Sequence, residues 1–318
     1  MKTGILFILL FSTLLCTAQK KPAPPQKLYY FYGKDSLLGV RNGKGQVIIP
    51  ANFHNLYIED ISMPIEEDII YMEIWKKGEP LGKWTNSYFF NRKGEFLFHP
   101  YWFDNGPDGL QEGLMRYIEN NKIGFADRDG KKVIPAKWDY AEFFIYGLTY
   151  VCNGCSFYQD TTKSEHNIHL TDGNWGIINK KGEVLVEPGK LQASQVGKIS
   201  DSLLSKHKLF TYSGLEKKIL TKIESVPDIN KWLLVNWSNP SFKSISFQIV
   251  ERPSKREPYY LIRAYGHYGD YLTVLDEFLA AADGTKLYYS AFDEHGKPQL
   301  LEEWIAEAKE YEKKKNNQ

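Results

Sequence analysis

The sequence predicts a β-rich chain: a β-hairpin repeat array over residues 28–190, then an α+β unit over residues 215–311. Aromatic residues make up 15% of the 318, scattered among short segments rich in Val, Ile and Gly, the composition of half-buried pleated strands. A pattern of Asn or Asp, Gly three residues later and then Pro recurs four times before residue 190. Beyond residue 214 that pattern stops, and apolar residues take helical spacing before a series of strand-like segments.

The length accommodates two domains of ordinary size, each with a core. Forty basic against 39 acidic residues leave a net charge of +1, and loss of Lys2 with a leader makes the mature chain neutral. A nucleic-acid partner is therefore not expected. Residues 1–18, MKTGILFILLFSTLLCTA, join one Lys, an apolar run from Ile5 to Cys16 and small residues before Gln19, the three parts of a signal peptide. Cleavage is expected after Ala18, because bulky Leu15 is wrong for a lipid-modified Cys16. No later segment approaches the ~20 apolar residues of a membrane span. An exported protein, periplasmic or secreted, with no transmembrane segment in its mature chain is expected.

The repeats are GVRNGKGQVIIP, YFFNRKGEFLFHP, GFADRDGKKVIP and GIINKKGEVLVEP. Their paired positions are Asn42 and Gly45, Asn91 and Gly94, Asp127 and Gly130, and Asn179 and Gly182, followed by Pro50, Pro100, Pro135 and Pro188. Asn or Asp opening a type I turn, with Gly closing it at positive φ, makes a bulged hairpin. Asp127-Arg128-Asp129-Gly130 also has the look of half a calcium loop. Asp129, however, gives way to Lys44, Lys93 and Lys181 in the other copies, so a turn is predicted and no metal. Gly43-Lys44-Gly45 is no phosphate loop either, since Gln46 to Ile49 continues as a strand where a helix should open.

Trp175-Gly176, the glycines of Leu38-Gly39 and Ile123-Gly124, and the downstream Ala136-Lys137-Trp138-Asp139 and Tyr146 to Val151, echoed by Glu112-Gly113-Leu114, resemble the WG-repeat family. The second copy departs from it with Ser87-Tyr88. That resemblance, over about residues 28–190, implies an array of β-hairpins with an interaction role and no reaction. Spacings of 49, 36 and 52 residues between copies imply inserted loops, where repeat proteins usually bind. Trp102, Trp138 and Tyr146, near those loops, are the candidate interaction residues.

The first insert, YIEDISMPIEEDIIYMEIW, carries Glu59, Asp60, Glu66, Glu67 and Asp68; solvated turn carboxylates come first, a cation or basic partner second. The second, VCNGCSFYQDTTKSEHNIHL, holds Cys152 and Cys155 around Asn153-Gly154, a strong hairpin signal. A disulfide is the simplest fate of that pair in an oxidising compartment. Zinc on Cys152, Cys155, His166 and His169 is a weaker rival, because the spacings are short and the two histidines would face opposite sides of a strand. A thioredoxin-like redox pair, which needs a helix N-terminus, and unpaired thiols complete the alternatives.

Residues 191–214 read as a linker. The segment GLEKKILTKIESVPDINKWLLVNW predicts two helical pieces broken before Pro227, followed by four strands, a closing helix from Gln299 to Tyr311 and a disordered tail over residues 312–318. Pro258-Tyr259-Tyr260, Asp283-Gly284-Thr285-Lys286, Tyr288-Tyr289 and Leu301-Glu302-Glu303-Trp304 resemble the cystatin-like domains of exported bacterial proteins.

The sequence holds no nucleophile elbow, His-Glu-x-x-His or Walker loop, and His54, His99, His207, His267 and His295 are scattered as surface or capping residues. A non-catalytic exported binding or scaffold protein without cofactors is the leading expectation, with a protein or envelope partner on the repeats. Small-ligand or peptide binding by the cystatin-like domain is the alternative. An unrecognised hydrolase, its carboxylate pair legible only in three dimensions, comes third.

Overall fold

The computed structural model describes residues 26–55, 58–75, 86–103, 106–159, 168–170, 173–191, 195–227, 229–233, 242, 244–254, 257–268, 271–292 and 297–316. Residues 1–25 and the last two residues lie outside them. The first half holds four antiparallel three-stranded units. Unit 1 is β1 (Leu28–Tyr32), β2 (Leu38–Asn42) and β3 (Val47–Phe53); unit 2 is β4 (Ile69–Glu73), β5 (Ser87–Asn91) and β6 (Phe96–Pro100). The small pair β7 (Trp102–Phe103) and β8 (Gly106–Pro107) precedes unit 3, which is β9 (Leu114–Glu119), β10 (Lys122–Asp127) and β11 (Lys132–Trp138). In the last sheet β12 (Tyr140–Ala141) pairs with β13 (Leu148–Asn153), which leads through the insert hairpin β14 (Phe157–Gln159) and β15 (Ile168–Leu170) to β16 (Asn174–Asn179) and β17 (Val184–Leu191). Unit 4 is β13, β16 and β17.

The predicted turns join the second and third strands of each unit, with Gly45, Gly94, Gly130 and Gly182 at φ 81°, 82°, 79° and 79°. One side-chain oxygen organises each turn. Asn42 Oδ1 accepts from the amides of Lys44 (2.9 Å) and Gln46 (3.0 Å), and Asn91, Asp127 and Asn179 repeat the pattern two and four residues on. The Asn amides also donate at 2.6 Å to Gln46, Glu95 and Glu183. Asp127 cannot donate, and Lys131 stands at that place in its turn. The Asp127 oxygen that resembled a calcium ligand thus serves backbone N–H groups, as an Asx turn requires.

The first glycine of each unit has a different cause. A Cβ on Gly39 would lie 2.8 Å from the Ile49 carbonyl oxygen, on Gly124 2.6 Å from that of Ile134, and on Gly176 2.5 Å from that of Val186. Opposite Gly39 the register jumps from Leu38↔Phe53 to Val40↔Ile49, and opposite Gly124 from Ile123↔Trp138 to Phe125↔Ile134. The third strand bulges over the glycine there, and Pro50 and Pro135 sit in the bulges, where a missing N–H costs no ladder bond. Unit 2 has Tyr88 at this position. Its third strand pairs with β5 at Phe89↔Phe98, then crosses to β9 through His99↔Ile118 and Pro100↔Tyr117. Units 2 and 3 thereby form one six-stranded sheet, β11-β10-β9-β6-β5-β4.

The second half contains α1 (Asp201–Lys206), α2 (Gly214–Glu224), α3 (Ile229–Leu233), a meander of β18 (Ser244–Glu251), β19 (Tyr259–Tyr268), β20 (Tyr271–Ala281), β21 (Leu287–Phe292) and β22 (Pro298–Leu300), and α4 (Leu301–Asn316). Ser213 and Glu216 form a capping box on α2, and Arg252 Nε holds the Glu216 carboxylate at 2.6 Å. One sheet face packs Phe247, Ile249, Ile262 and Phe278 on Ile219, Ile223 and Trp232 of the helices. The other face packs Val250, Tyr265 and Leu272 into the core of units 3 and 4, with Phe125, Phe144 and Ile177.

Three expectations are corrected. Residues 191–214 are no loose linker: they include α1, capped by Ser200, and Leu203, Leu204 and Leu209 pack on the repeat core. The closing helix runs on to Asn316, because Glu and Lys continue its surface pattern without a breaker. Asn153-Gly154 ends a strand and makes no two-residue hairpin, since both edges of β13 are already taken by β12 and β16.

The repeat turns also stack. A Cβ on Gly94 would meet the Ile48 carbonyl oxygen of unit 1 at 2.3 Å and one on Gly130 the Leu97 side chain of unit 2 at 2.4 Å, whereas Gly45 has open space. Gly45→Ala should therefore cost only the left-handed penalty, about 1 kcal/mol, and Gly94→Ala distinctly more, about 2–4 kcal/mol with the backbone clash added. Equal losses in urea denaturation would show that the turns do not lean on the preceding unit.

Candidate functional site

Two tight turns at equivalent repeat positions join the halves. Gln111–Leu114 and Ile145–Leu148 each close with reciprocal backbone bonds, 2.8 and 3.2 Å in the first, 2.8 and 3.1 Å in the second. Both central residues have positive φ: Glu112 (53°) and Gly113 (80°), Tyr146 (53°) and Gly147 (73°). A residue with a Cβ is strained there, and the second half offsets that strain. The buried Glu112 carboxylate accepts from the Gly147 amide at 2.8 Å and from the Tyr265 hydroxyl. Burial, and then the Glu112 charge, push the Tyr265 phenol far above its ordinary range. Lys180 donates to the carbonyls of Glu112 and Val250, and burial lowers its ammonium pKa.

The candidate interaction aromatics fall in different places. Tyr146 stacks edge-on to Tyr265 (5.1 Å) and Phe210 (5.5 Å) and accepts from Gln248 at 2.8 Å, so it binds the chain's own second half. Trp138 is 4% exposed and belongs to the core. Trp102 is half-buried beside Tyr71. The exposed-anchor expectation is thus corrected at Trp138 and Tyr146: an aromatic in a β-array faces core or solvent by strand register, which nearby loops do not reveal.

Cys152 and Cys155 form a disulfide with Cα atoms 6.1 Å apart. Any Cβ on Gly173 would collide with both sulfurs, so the chain passes the bridge only as glycine. The bridge occupies both thiols proposed for zinc. His166 and the His169 side chain lie outside the described residues.

Two surfaces of units 1 and 2 remain open. On one, Phe53, Tyr88, Phe90, Phe96 and His99 form a ring cluster with centroid separations from 5.0 to 6.3 Å. The bulge between Phe89↔Phe98 and Phe90↔Phe96 turns Phe96 to the side of Phe90, and Phe96 is 50% exposed. Grooves of about 330 and 340 Å³ flank it, the first lined by Asn52, Ile74 and the ring cluster, the second by Ile118, Asn120, Asn121 and Lys132 among others.

The other surface is a cleft of about 830 Å³ built by units 1 and 2, the first strand and the turn of unit 3, and the loop before β19. Leu38, Met72, Phe89 and Met115 are its buried floor; Tyr30, Tyr71 and His54 form walls; Glu66, Glu67, Asp68 and Glu257 edge it. Arg92 holds the acidic insert in place by donating to the carbonyls of Ile65 (2.9 Å) and Glu67 (2.7 Å). Buried Glu73 accepts from the Tyr71 hydroxyl at 2.6 Å. Glu59 and Asp60 are not among the cleft residues; Asp60 caps Ser62, whose hydroxyl and amide hold its carboxyl below the usual range. Sequence reasoning found the carboxylates but missed the floor, which comes from four separate strands.

Burial, and then the negative charge of Glu67, raise the Tyr30 phenol from 10.0 to about 12. Glu67→Gln removes the repulsion that disfavours phenolate, so the Tyr30 pKa should fall while staying above 10.0, because burial is unchanged. Tyrosine Cζ shifts followed by NMR across the alkaline range would check this. An unmoved late-titrating tyrosine would take the Glu67 carboxylate away from that wall.

Among comparisons with known proteins, neither a curated protein nor a solved structure matches the chain. The family described as WG containing repeat matches residues 123–154 and 175–190, the stretches that form β10 to β13 and most of β16 and β17.

Proposed function

We propose that the chain is a non-catalytic exported interaction protein whose repeat array holds a protein or envelope partner on the aromatic face of units 1 and 2. The carrying observation is that face: a contiguous cluster of five rings in which half-exposed Phe96 touches Tyr88, Phe90 and His99, on units that the C-terminal sheet leaves uncovered. Clustered large aromatics of this kind dominate protein interfaces. The match to WG containing repeats, over residues 123–154 and 175–190 of units 3 and 4, supports a repeat-based interaction role. A disulfide suits an oxidising compartment, as the leader-like residues 1–18 do.

Ligand binding on the sheet of the cystatin-like unit is less favoured. Helices pack on one face of that sheet and units 3 and 4 on the other, so among the described residues both faces are largely covered, and the groove of about 300 Å³ beside Ile249 to Arg252 lies at the seam with the repeats. One convergent group, buried Glu112 and Tyr265 with half-buried Lys180, lies between the halves and holds them together.

The test uses the full chain, because both halves share one core. Phe96→Ser should leave the melting temperature within a few degrees, since only part of that side chain is buried, and should weaken cross-linked capture of an envelope partner at least tenfold. Val133→Ser, an exposed control on unit 3, should capture as the parent does. Full capture by Phe96→Ser would remove the aromatic face from the function.

A further inference from the structure

We propose that the cleft between units 1 and 2 binds an alkylammonium, a primary amine cation on a flexible aliphatic body. This site is separate from the aromatic face and needs no partner there. Its volume of about 830 Å³ falls within the span of about 300–1,000 Å³ usual for small-ligand sites. Polarity changes with depth. Carboxylates of Glu66, Glu67 and Glu257 stand at the exposed edge, while Leu38, Met72 and Met115 make a buried apolar floor; the deep carboxylate on the lining, Glu73, accepts from the Tyr71 hydroxyl.

An amine cation with methylenes matches that gradient, because its head stays with the carboxylates while its stem covers the floor. The tyrosine ring of Tyr30, held in its un-ionised form by burial and Glu67, adds a face suited to a cation. Arg128, the guanidinium on the cleft, is engaged by Glu251 at 2.5 Å, so its charge is turned towards a carboxylate of the second half.

A bare metal ion fits less well. It needs several oxygen ligands converging at about 2.3–2.6 Å, and among the described residues no group of three or more His, Cys, Asp or Glu is placed to hold one. The apolar floor would contribute nothing to such an ion, whereas each methylene of an alkylamine gains by leaving water.

Two sources share this chemistry: a free polyamine and the lysine side chain of a peptide. Calorimetric titration of the full chain at low salt would use butylamine, hexylamine, spermidine, N-acetyl-lysine methylamide and magnesium chloride. Hexylamine should bind several-fold tighter than butylamine, and spermidine should lose affinity as salt rises. The lysine derivative binding as well as spermidine would assign the site to a peptide, and spermidine binding at least tenfold tighter would assign it to free polyamine. The Glu66→Gln, Glu67→Gln double variant should lose at least tenfold for every amine, and Glu119→Gln, an exposed carboxylate elsewhere, should lose nothing. Ile58→Ser, on the partly exposed wall, should abolish the preference for hexylamine while keeping cooperative unfolding. Magnesium binding as tightly as the amines, or equal affinity for butylamine and hexylamine, would overturn the proposal. Phe96→Ser should leave amine binding unchanged, which separates failure here from failure of the aromatic docking face.

Discussion

A missing Cβ sets the shape of this array. At Gly39, Gly124 and Gly176 the third strand of the unit folds over the second so closely that its carbonyl oxygen occupies the space a side chain would need. That approach makes the bulge, the bulge accepts proline, and the strands so bent pack into cores shared between neighbouring units. The Asn or Asp turn at the far end of the same hairpin fixes register through bonds that stay within five residues. In units 1, 3 and 4 glycine is used twice for unlike reasons: once for close approach, once for positive φ.

Repetition alone would give an open stack of similar hairpins, and the second half interrupts it. Its sheet buries Val250, Tyr265 and Leu272 on units 3 and 4, and its hold on the repeats is concentrated at two strained turns. Glu112 and Tyr146 occupy left-handed positions that Asn or Gly would fill more cheaply. What they gain is a buried hydrogen bond and a ring contact to the same residue, Tyr265. Local propensity is sacrificed where long-range packing repays it, the usual mark of a position kept for tertiary reasons.

That division explains how much the sequence could disclose. All four turns were legible because their chemistry is local, and α2 and four strands of the meander were legible from periodicity, with Ser213 and Glu216 marking the start of α2; the short fifth strand, Pro298–Leu300, falls where the sequence places the start of the closing helix. Asn153-Gly154 misled because the competing partners of β13, Tyr140 and Asn174, lie beyond any local pattern. Residues 191–214 are polar on average, which hides the few leucines that dock. Tyr146 was recognisable as an anchor, but its partner is 119 residues away. The acidic insert was visible, whereas the cleft it borders needs Met72, Phe89, Met115 and Glu257 brought together by the fold.

Unit 2 shows why a departure from the repeat is more informative than the repeat. With Tyr88 in place of glycine, the third strand cannot fold back over the second as it does in the other units. Two results follow from that one side chain. Freed at its end, β6 pairs with β9 and ties units 2 and 3 into a continuous sheet. Meanwhile the Tyr88 ring, at the position where glycine offers no side chain, turns to the surface and contacts Phe53, Phe90, Phe96 and His99. Glycine at this position would remove the Tyr88 ring from that cluster and leave the chain of contacts from Phe53 through Phe90 and Phe96 to His99. The copy that departs most from the repeat therefore contributes both to the six-stranded sheet and to the aromatic cluster around Phe96, and divergence there is a change of use more than a loss of signal.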